Sequence, residues 1–578
     1  MRDRPLTARR ARALVARAVG LVALSVAGPV DLALATDRYV DDQGAGISPC
    51  TTVTNPCPQI STALGGSVSG DVIHVGGTTT QYAGNLTLPN GVSLIKDSFA
   101  SGAGVITTGA ATINTLGNAN PALTLTTGTA PRIVSGFRLR GGSTASLGTM
   151  LVNSSDNVTI AGNVFDDHSA AVLRQLRISG GGSPHIVGNT FIGTDDDAGR
   201  DAITYSTLTG GSPEIDHNSI DSFFEGIQVS GSAPPNTTTF DIHDNTITNI
   251  YDDASPGIPI GIDVNSASGK LTDNLTTEIP AQTLGLGLLI STGSVATGTR
   301  LEASRNQVYG FEGASEFGGA DPKLLKNSVF ANNGAALSLF GPGGVTATGV
   351  TATGSTGGFG YEILLANVSL TLGSSFVGPS GSGILVSGTS TCSSSFSVST
   401  DAPGGCGLAP VADGMFVNPA GNDFRLAAGS PLIDAGNPAA PAAGDTDVAG
   451  NPRAIAITGC PARRDIGAYE FATGSLSCAP PDTTATDTTA PETSVSGKRK
   501  LKTRKKKARV TWTFGSSEPG TFQCGLDGRP FAPCSSPFTV KLRRGAHTLS
   551  VRASDAAGNT DPTPASFTTK IKRKRKPR

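Results

Sequence analysis

Carboxylates crowd one stretch of this chain: Asp195, Asp197, Asp201, Glu225 and Asp263, with Arg177 and Arg200 close by in sequence. Two or three carboxyl groups held at the right separation split a glycosidic bond. One protonates the leaving oxygen while another activates water or attacks. Asp201, Glu225 and Asp263 are the candidates for that work. Elimination from an acidic sugar instead needs carboxylates that hold Ca²⁺ against the substrate and a base that removes a proton. Asp195, Asp197, Asp201 and Glu225 are the candidate metal ligands, and Arg177 or Arg200 the candidate base. Both chemistries depend on elements that bring these residues together.

Those elements announce themselves as a repeat. A phrase of an exposed small or charged residue, Asn, a residue that is often Ser or Thr, and an apolar residue recurs at Asn163, Asn189, Asn218 and Asn245. Weaker copies follow at Asn274, Asn306 and Asn327, and Gly136, Gly349 and Ser374 fit the frame without the Asn. From Gly136 to Ser374 the intervals are 27, 26, 29, 27, 29, 32, 21, 22 and 25 residues. Such a period means stacked supersecondary units. Within each unit an apolar residue lies three before the anchor (Ile160, Ile186, Ile215, Ile242, Leu271, Leu324). Another lies two after it (Phe165, Phe191, Ile220, Ile247, Val308, Val329). Five residues between two inward positions breaks the alternation of a strand, so the chain turns there, with the Asn in the left-handed conformation. Asn163, Asn189, Asn218 and Asn245 are expected to stack as a ladder, bonded from coil to coil. A third strand follows in most units, at Gly226, Gly261, Ala336 and Gly383.

Three short strands per coil make an all-β, parallel β-helix, and the chain resembles the right-handed parallel β-helix (pectin-lyase-like) superfamily over roughly residues 60 to 420. The resemblance implies a polysaccharide site, where there is one, in a groove along one sheet. Residues from successive coils would build it. Two acidic columns meet that description. One comprises Asp166, Asp167 and His168, then Asp195, Asp196 and Asp197, then Asp221 with Glu225, Asp252 with Asp253, and Glu312. Beside it the third strand presents Arg177, Thr204, Gln228 and Asp263 outward, with Arg200 and Asp201 at its start. The phrases expected of pectin-cleaving enzymes (Asn-Thr-Asp, Gly-His-Gly, Arg-Ile-Lys) are absent. Aromatic subsites are limited to Tyr205, Phe223, Phe224 and Tyr251. Solvated turns account for the same charges. The sequence therefore favours a binding or structural protein, with a polysaccharide lyase or glycoside hydrolase as the alternative.

Composition fits this picture. Glycine supplies 75 of 578 residues, roughly double the usual ~7%, as many tight turns require. Residues 1–35 read as an export signal: arginines from Arg2 to Arg17, an apolar run from Ala18 to Ala27, and Ala33-Leu34-Ala35 for cleavage. The eight cysteines fall as local pairs, Cys50/Cys57, Cys392/Cys406, Cys460/Cys478 and Cys524/Cys534, and an exported chain makes disulfides of them. No later segment is apolar enough to span a membrane. A secreted or cell-surface monomer is expected.

The sequence divides into a cap and β-helix (36–423), a closing region (424–471), a linker (472–489), a final domain (490–570) and a basic tail (571–578). The closing region reads Gly429-Ser430-Pro431-Leu432-Ile433-Asp434-Ala435-Gly436, then Asp445 to Arg453, then Arg464-Asp465-Ile466-Gly467-Ala468-Tyr469-Glu470. It resembles the choice-of-anchor Q region of bacterial surface β-helix proteins, which implies export and no chemistry. Asp434, Asp447, Arg453 and Asp465 are expected to form a structural network. The final domain resembles bacterial Ig-like modules that begin Asp-Thr-Thr-Ala-Pro (Asp487 to Pro491). From 490 to the end there are 21 Lys and Arg against 5 Asp and Glu, net +16, while 36–489 carries 17 against 38, net −21. The basic runs lack interleaved aromatics, so an anionic cell-wall polymer or acidic glycan is the expected partner and nucleic acid is not.

Overall fold

The computed structural model describes residues 36–573 less a set of connecting segments, the longest being 98–110, 454–462 and 472–489. The export signal, the linker, Cys460, Cys478, Asp195, Asp197 and residues 574–578 lie outside the described residues. The chain forms two compact units. One comprises residues 1–456 with 461–474, the other 457–460 with 475–578.

The first unit is a parallel β-solenoid. Each coil passes through three sheets in turn, which hold 14, 14 and 12 strands among the described residues. Sheet I begins with Asp37–Val40, sheet II with Gln81–Ala83 and sheet III with Leu86–Leu88. Inward residues stand in register from coil to coil: Ile160, Ile186, Ile215, Ile242 and Leu271 on sheet I, and Phe165, Phe191, Ile220 and Ile247 on sheet II. All are fully buried. Each such side chain stabilises the fold by ~1.5–3 kcal/mol. The rings of Phe165 and Phe191 stack 4.6 Å apart.

The ladder is present, but the turn differs from the expectation in one respect. The left-handed residue is the one before each Asn, namely Gly162, Gly188, His217, Asp244, Asp273 and Arg305. The Asn itself is buried. Its Oδ1 accepts the backbone N–H and the Nδ2 of the preceding Asn, as in Asn189 N to Asn218 Oδ1 at 3.0 Å and Asn218 N to Asn245 Oδ1 at 3.1 Å. Its own Nδ2 also reaches a carbonyl, Asn218 to Ile186 O at 2.9 Å. Buried backbone groups at the corner are thereby satisfied. In the later coils serine takes over: Asn306 N donates to Ser328 Oγ, Val350 N to Ser375 Oγ and Ser375 N to Ser397 Oγ, each at 3.1 Å. Asn327, Gly349 and Ser374 are accordingly turn residues with positive φ, as is Gly136. The inward residues near Asn327 are therefore Leu325 and Phe330, one further on than expected.

The helix Ile60–Leu64 buries Ile60 and Ala63 against the first strands, as a cap should. Arg38 ties it down, bonding Asp71 at 2.9 Å and the carbonyls of Ala63 and Gly66. At the other end, the described residues between Met415 and Phe471 lie along the outer face of sheet II. Phe424, Val448 and Ala468 pack on Tyr309, Val329 and Ala331. Met415, Leu426, Leu432 and Ile466 pack on Phe376. The expected structural network is here. Buried Arg453 pairs with Glu470 at 3.2 Å, and Asp447 caps the N–H groups of Ala449, Asn451 and Glu470. Asp465 takes those of Asp434 and Phe471.

The second unit is a small β-sandwich of a three-stranded and a five-stranded sheet around Trp512, Leu549 and Val551. Disulfides join Cys50 to Cys57, Cys392 to Cys406 and Cys524 to Cys534, as the local pairing predicts.

Candidate functional site

Four strands of sheet III carry the site: Arg174–Ser179, Asp201–Ser206, Glu225–Ser230 and Ile260–Asn265. Parallel pairing places Arg174, Asp201, Glu225 and Ile260 side by side at the start of each strand. Three residues on, Arg177, Thr204, Gln228 and Asp263 form a second row. Adjacent strands lie ~4.8 Å apart, so side chains of one row touch their neighbours. Gly226 permits the close stacking beside Glu225: a Cβ there would lie 2.5 Å from the Gly261 carbonyl oxygen.

The sequence candidates Asp201, Glu225 and Asp263 meet here. Asp201 is 6% and Glu225 8% exposed. Thr204 Oγ1 donates to Asp201 at 3.2 Å, Arg174 Nε lies 3.1 Å from the same carboxylate, and Gln228 Nε2 reaches Glu225 at 3.1 Å. Burial, followed by the charges of Asp201 and Asp263, pushes the Glu225 carboxyl up to about 9. Burial likewise raises Asp201 to about 6, against the pull of Arg174. Burial raises Asp263, opposed by hydrogen bonds from Glu225 and Gln228. Like charges this close do not all ionise. Glu225 thus holds a proton at neutral pH between two acidic neighbours. A cation bound between Asp201 and Glu225 must displace that proton.

Other candidates separate from this group. Arg177 sits in the outward row, in register with Thr204. Arg200 is 2% exposed, and its carbonyl takes the N–H groups of Phe224 and Glu225, so it belongs to the corner rather than the open face. Asp166 is paired with Arg138 and Arg140 on sheet II, and Asp221 is held by Thr248 and Asn249. Tyr205 and Phe223 are core residues. Asp167, His168, Asp195, Asp196, Asp197, Tyr251, Asp252, Asp253 and Glu312 lie outside the described residues. The sequence reading missed Arg174. Its signal was the shared frame Arg174-x-x-Arg177, Asp201-x-x-Thr204, Glu225-x-x-Gln228, Ile260-x-x-Asp263.

The arrangement can donate a proton from Glu225, accept hydrogen bonds at Asp201 and Asp263, and contact an anionic group through Arg177. Among the described residues no helix is long and apolar enough to cross a membrane. No protein family matches the chain, and no curated protein does. A solved structure described as "Structures of Clostridium thermocellum CbhA fibronectin(III)-like modules" aligns at 20% identity and a TM-score of 0.12, over 14% of this chain and 100% of that one.

Proposed function

We propose that the chain is an exported surface protein that binds carbohydrate polymer along the outer face of sheet III. The observation that carries this reading is the trio Asp201, Glu225 and Asp263, carboxyl groups that successive coils bring together beside the outward row of sheet III. Perturbed titratable groups concentrate at functional sites. The two rows combine the donors Arg177 and Gln228 with the acceptors Asp201 and Asp263, which suits the hydroxyls of a chain lying along the solenoid axis. Three disulfides support export. So do the resemblances to choice-of-anchor Q and Ig-like regions.

The second unit supports an anionic partner. Lys500 stands opposite Lys570, Lys502 opposite Lys572, Lys507 opposite Arg543 and Arg509 opposite Lys541 on adjoining strands. Like charges in such pairs repel. An anionic cell-wall polymer relieves that repulsion.

The same trio favours a second reading, glycoside hydrolysis with Glu225 as general acid. Glu225 interacts with both neighbouring carboxyl groups. Binding stands first because the phrases expected of pectin-cleaving enzymes (Asn-Thr-Asp, Gly-His-Gly, Arg-Ile-Lys) are absent from the chain. A panel of polysaccharides, with and without Ca²⁺, tests both. Retardation in polysaccharide gels without new reducing ends or unsaturated product supports binding. Turnover abolished by Asp201→Ala or Glu225→Ala supports catalysis. Neither retardation nor turnover with any polymer contradicts both.

A further inference from the structure

Three of the chain's six histidines gather on the outer face of sheet I, away from the carboxylates of sheet III. They belong to the strands His185–Val187, Glu214–Asp216 and Thr239–His243 and the turn that follows Asp216. Register puts His185 beside Glu214, and Asp216 beside His243. Asp216 is the hub. It is 2% exposed, with one carboxylate oxygen 2.6 Å from His185 Nε2 and the other 2.7 Å from His217 Nδ1. Ligand atoms of Asp216, His217 and His243 all lie within 4.8 Å of one another.

We propose that this cluster is a transition-metal site, with Asp216, His217 and His243 as ligands and His185 orienting the Asp216 carboxylate. Two imidazoles and a carboxylate are the donor set that suits Zn²⁺, Ni²⁺ or Cu²⁺, whereas Ca²⁺ prefers an all-oxygen shell. The spacing needs only small side-chain adjustments to reach the ~2.0–2.2 Å bonds of such ions. Second-sphere partners are already in place. His243 has Asp244 at 3.0 Å from Nδ1 and Glu214 at 3.5 Å from Nε2. Whichever nitrogen turns to the metal, a carboxylate remains to hold the other, as metal-bound imidazoles require. The side chain of His217 is half exposed, which leaves coordination positions open to water. Binding replaces the protons held between Asp216 and its imidazoles.

His217 also offers a clean test. Its φ is 54°, the left-handed conformation that Gly162 and Gly188 adopt at the same corner. His217→Gly therefore removes a ligand without straining the backbone. Calorimetric titration of the chelator-treated full chain with ZnCl₂ should show one ion bound. Affinity should fall at least ~10-fold in His217→Gly and in Asp216→Asn, less in His185→Gln, and stay unchanged in His74→Gln. Melting in chelator shows which variants keep the fold, and should Asp216→Asn not fold, His217→Gly decides alone. Three outcomes overturn the proposal: no Zn²⁺ binding by the wild-type chain, undiminished binding in His217→Gly, or loss of binding in Glu225→Gln instead.

Discussion

Asp201 lies directly across from Glu225 on the adjoining parallel strand, so two carboxyl groups share one edge of sheet III. The solenoid imposes this: residues far apart in sequence become neighbours at one coil spacing. The electrostatic consequence is measurable without knowing any ligand.

Stability should fall as pH rises, and Glu225 should be the reason. Its carboxyl rises from an ordinary 4.5 to about 9 in the fold. A group raised in this way contributes stability that is complete below its unfolded value and lost as pH climbs through the folded one. Glu225→Gln, which keeps the shape and cannot ionise, should melt higher than wild type at pH 9 and nearly level with it below pH ~4.5. The expected gain at high pH is roughly 1–3 kcal/mol, the scale of a removed buried charge. Melting scans from acid to alkali on both chains decide it, and parallel pH profiles would count against the carboxyl cluster.

The ladder residues should follow the order Asn, Ser, Ala. Replacing Asn218 by Ala takes the acceptor from the Asn189 N–H and the side-chain donor from the Ile186 carbonyl, while Asn189 Nδ2 keeps Ile160 O and Asn245 Oδ1 keeps the backbone N–H of residue 218. The cost should be about 1–3 kcal/mol, the scale of one buried orphaned group. Asn218→Ser should cost less, since Ser328, Ser375 and Ser397 already serve as acceptors at that corner. Guanidinium unfolding midpoints give the ranking.

Much of this was legible in the sequence because the repeat constrains it twice, by apolar spacing and by the Asn phrase. The three-sheet coil, the ladder at Asn163 to Asn245 and the meeting of Asp201, Glu225 and Asp263 all follow from it. The one-residue slip after Asn306 was hidden because Asn327 imitates the ladder residue while Ser328 does its work. Arg174 was hidden because Asp201 and Thr204 face the same way although three residues apart, which breaks simple alternation at the strand start. The fold-back of the described residues between Met415 and Phe471 onto sheet II had no local signal. It depends on outward apolar residues such as Val329, which read as inward in isolation.

Arg453 should be essential to that fold-back. Arg453→Leu leaves the buried Glu470 without its cationic partner, with the Asp465 N–H still on its carboxylate, at a cost of about 3–5 kcal/mol. Trypsin should then cut within 415–471 much faster than in wild type. Unchanged proteolysis would mean that apolar packing alone holds the region.

Non-reducing peptide maps should recover Cys50–Cys57, Cys392–Cys406 and Cys524–Cys534, and the same local rule predicts Cys460–Cys478. A link from Cys460 to any other cysteine would break the rule.

The basic end should behave as an electrostatic anchor. The 490–578 fragment, net +16, should sediment with anionic cell-wall polymer at low salt and come off at high salt, while 36–489 should stay in solution. Salt shortens the reach of each charge to ~8 Å at physiological strength. Retention at high salt would point to a different mode of attachment.

The most direct test of the central claim is gel retardation by polysaccharide, comparing the full chain with the double variant Arg177→Ala and Asp263→Ala. Both residues lie on the outer row of sheet III, away from the core, so the variant should melt close to wild type. The account predicts that at least one polymer slows the wild-type chain and that the double variant migrates as it does in plain gel. Equal retardation of the two would place carbohydrate binding elsewhere and contradict the assignment of sheet III.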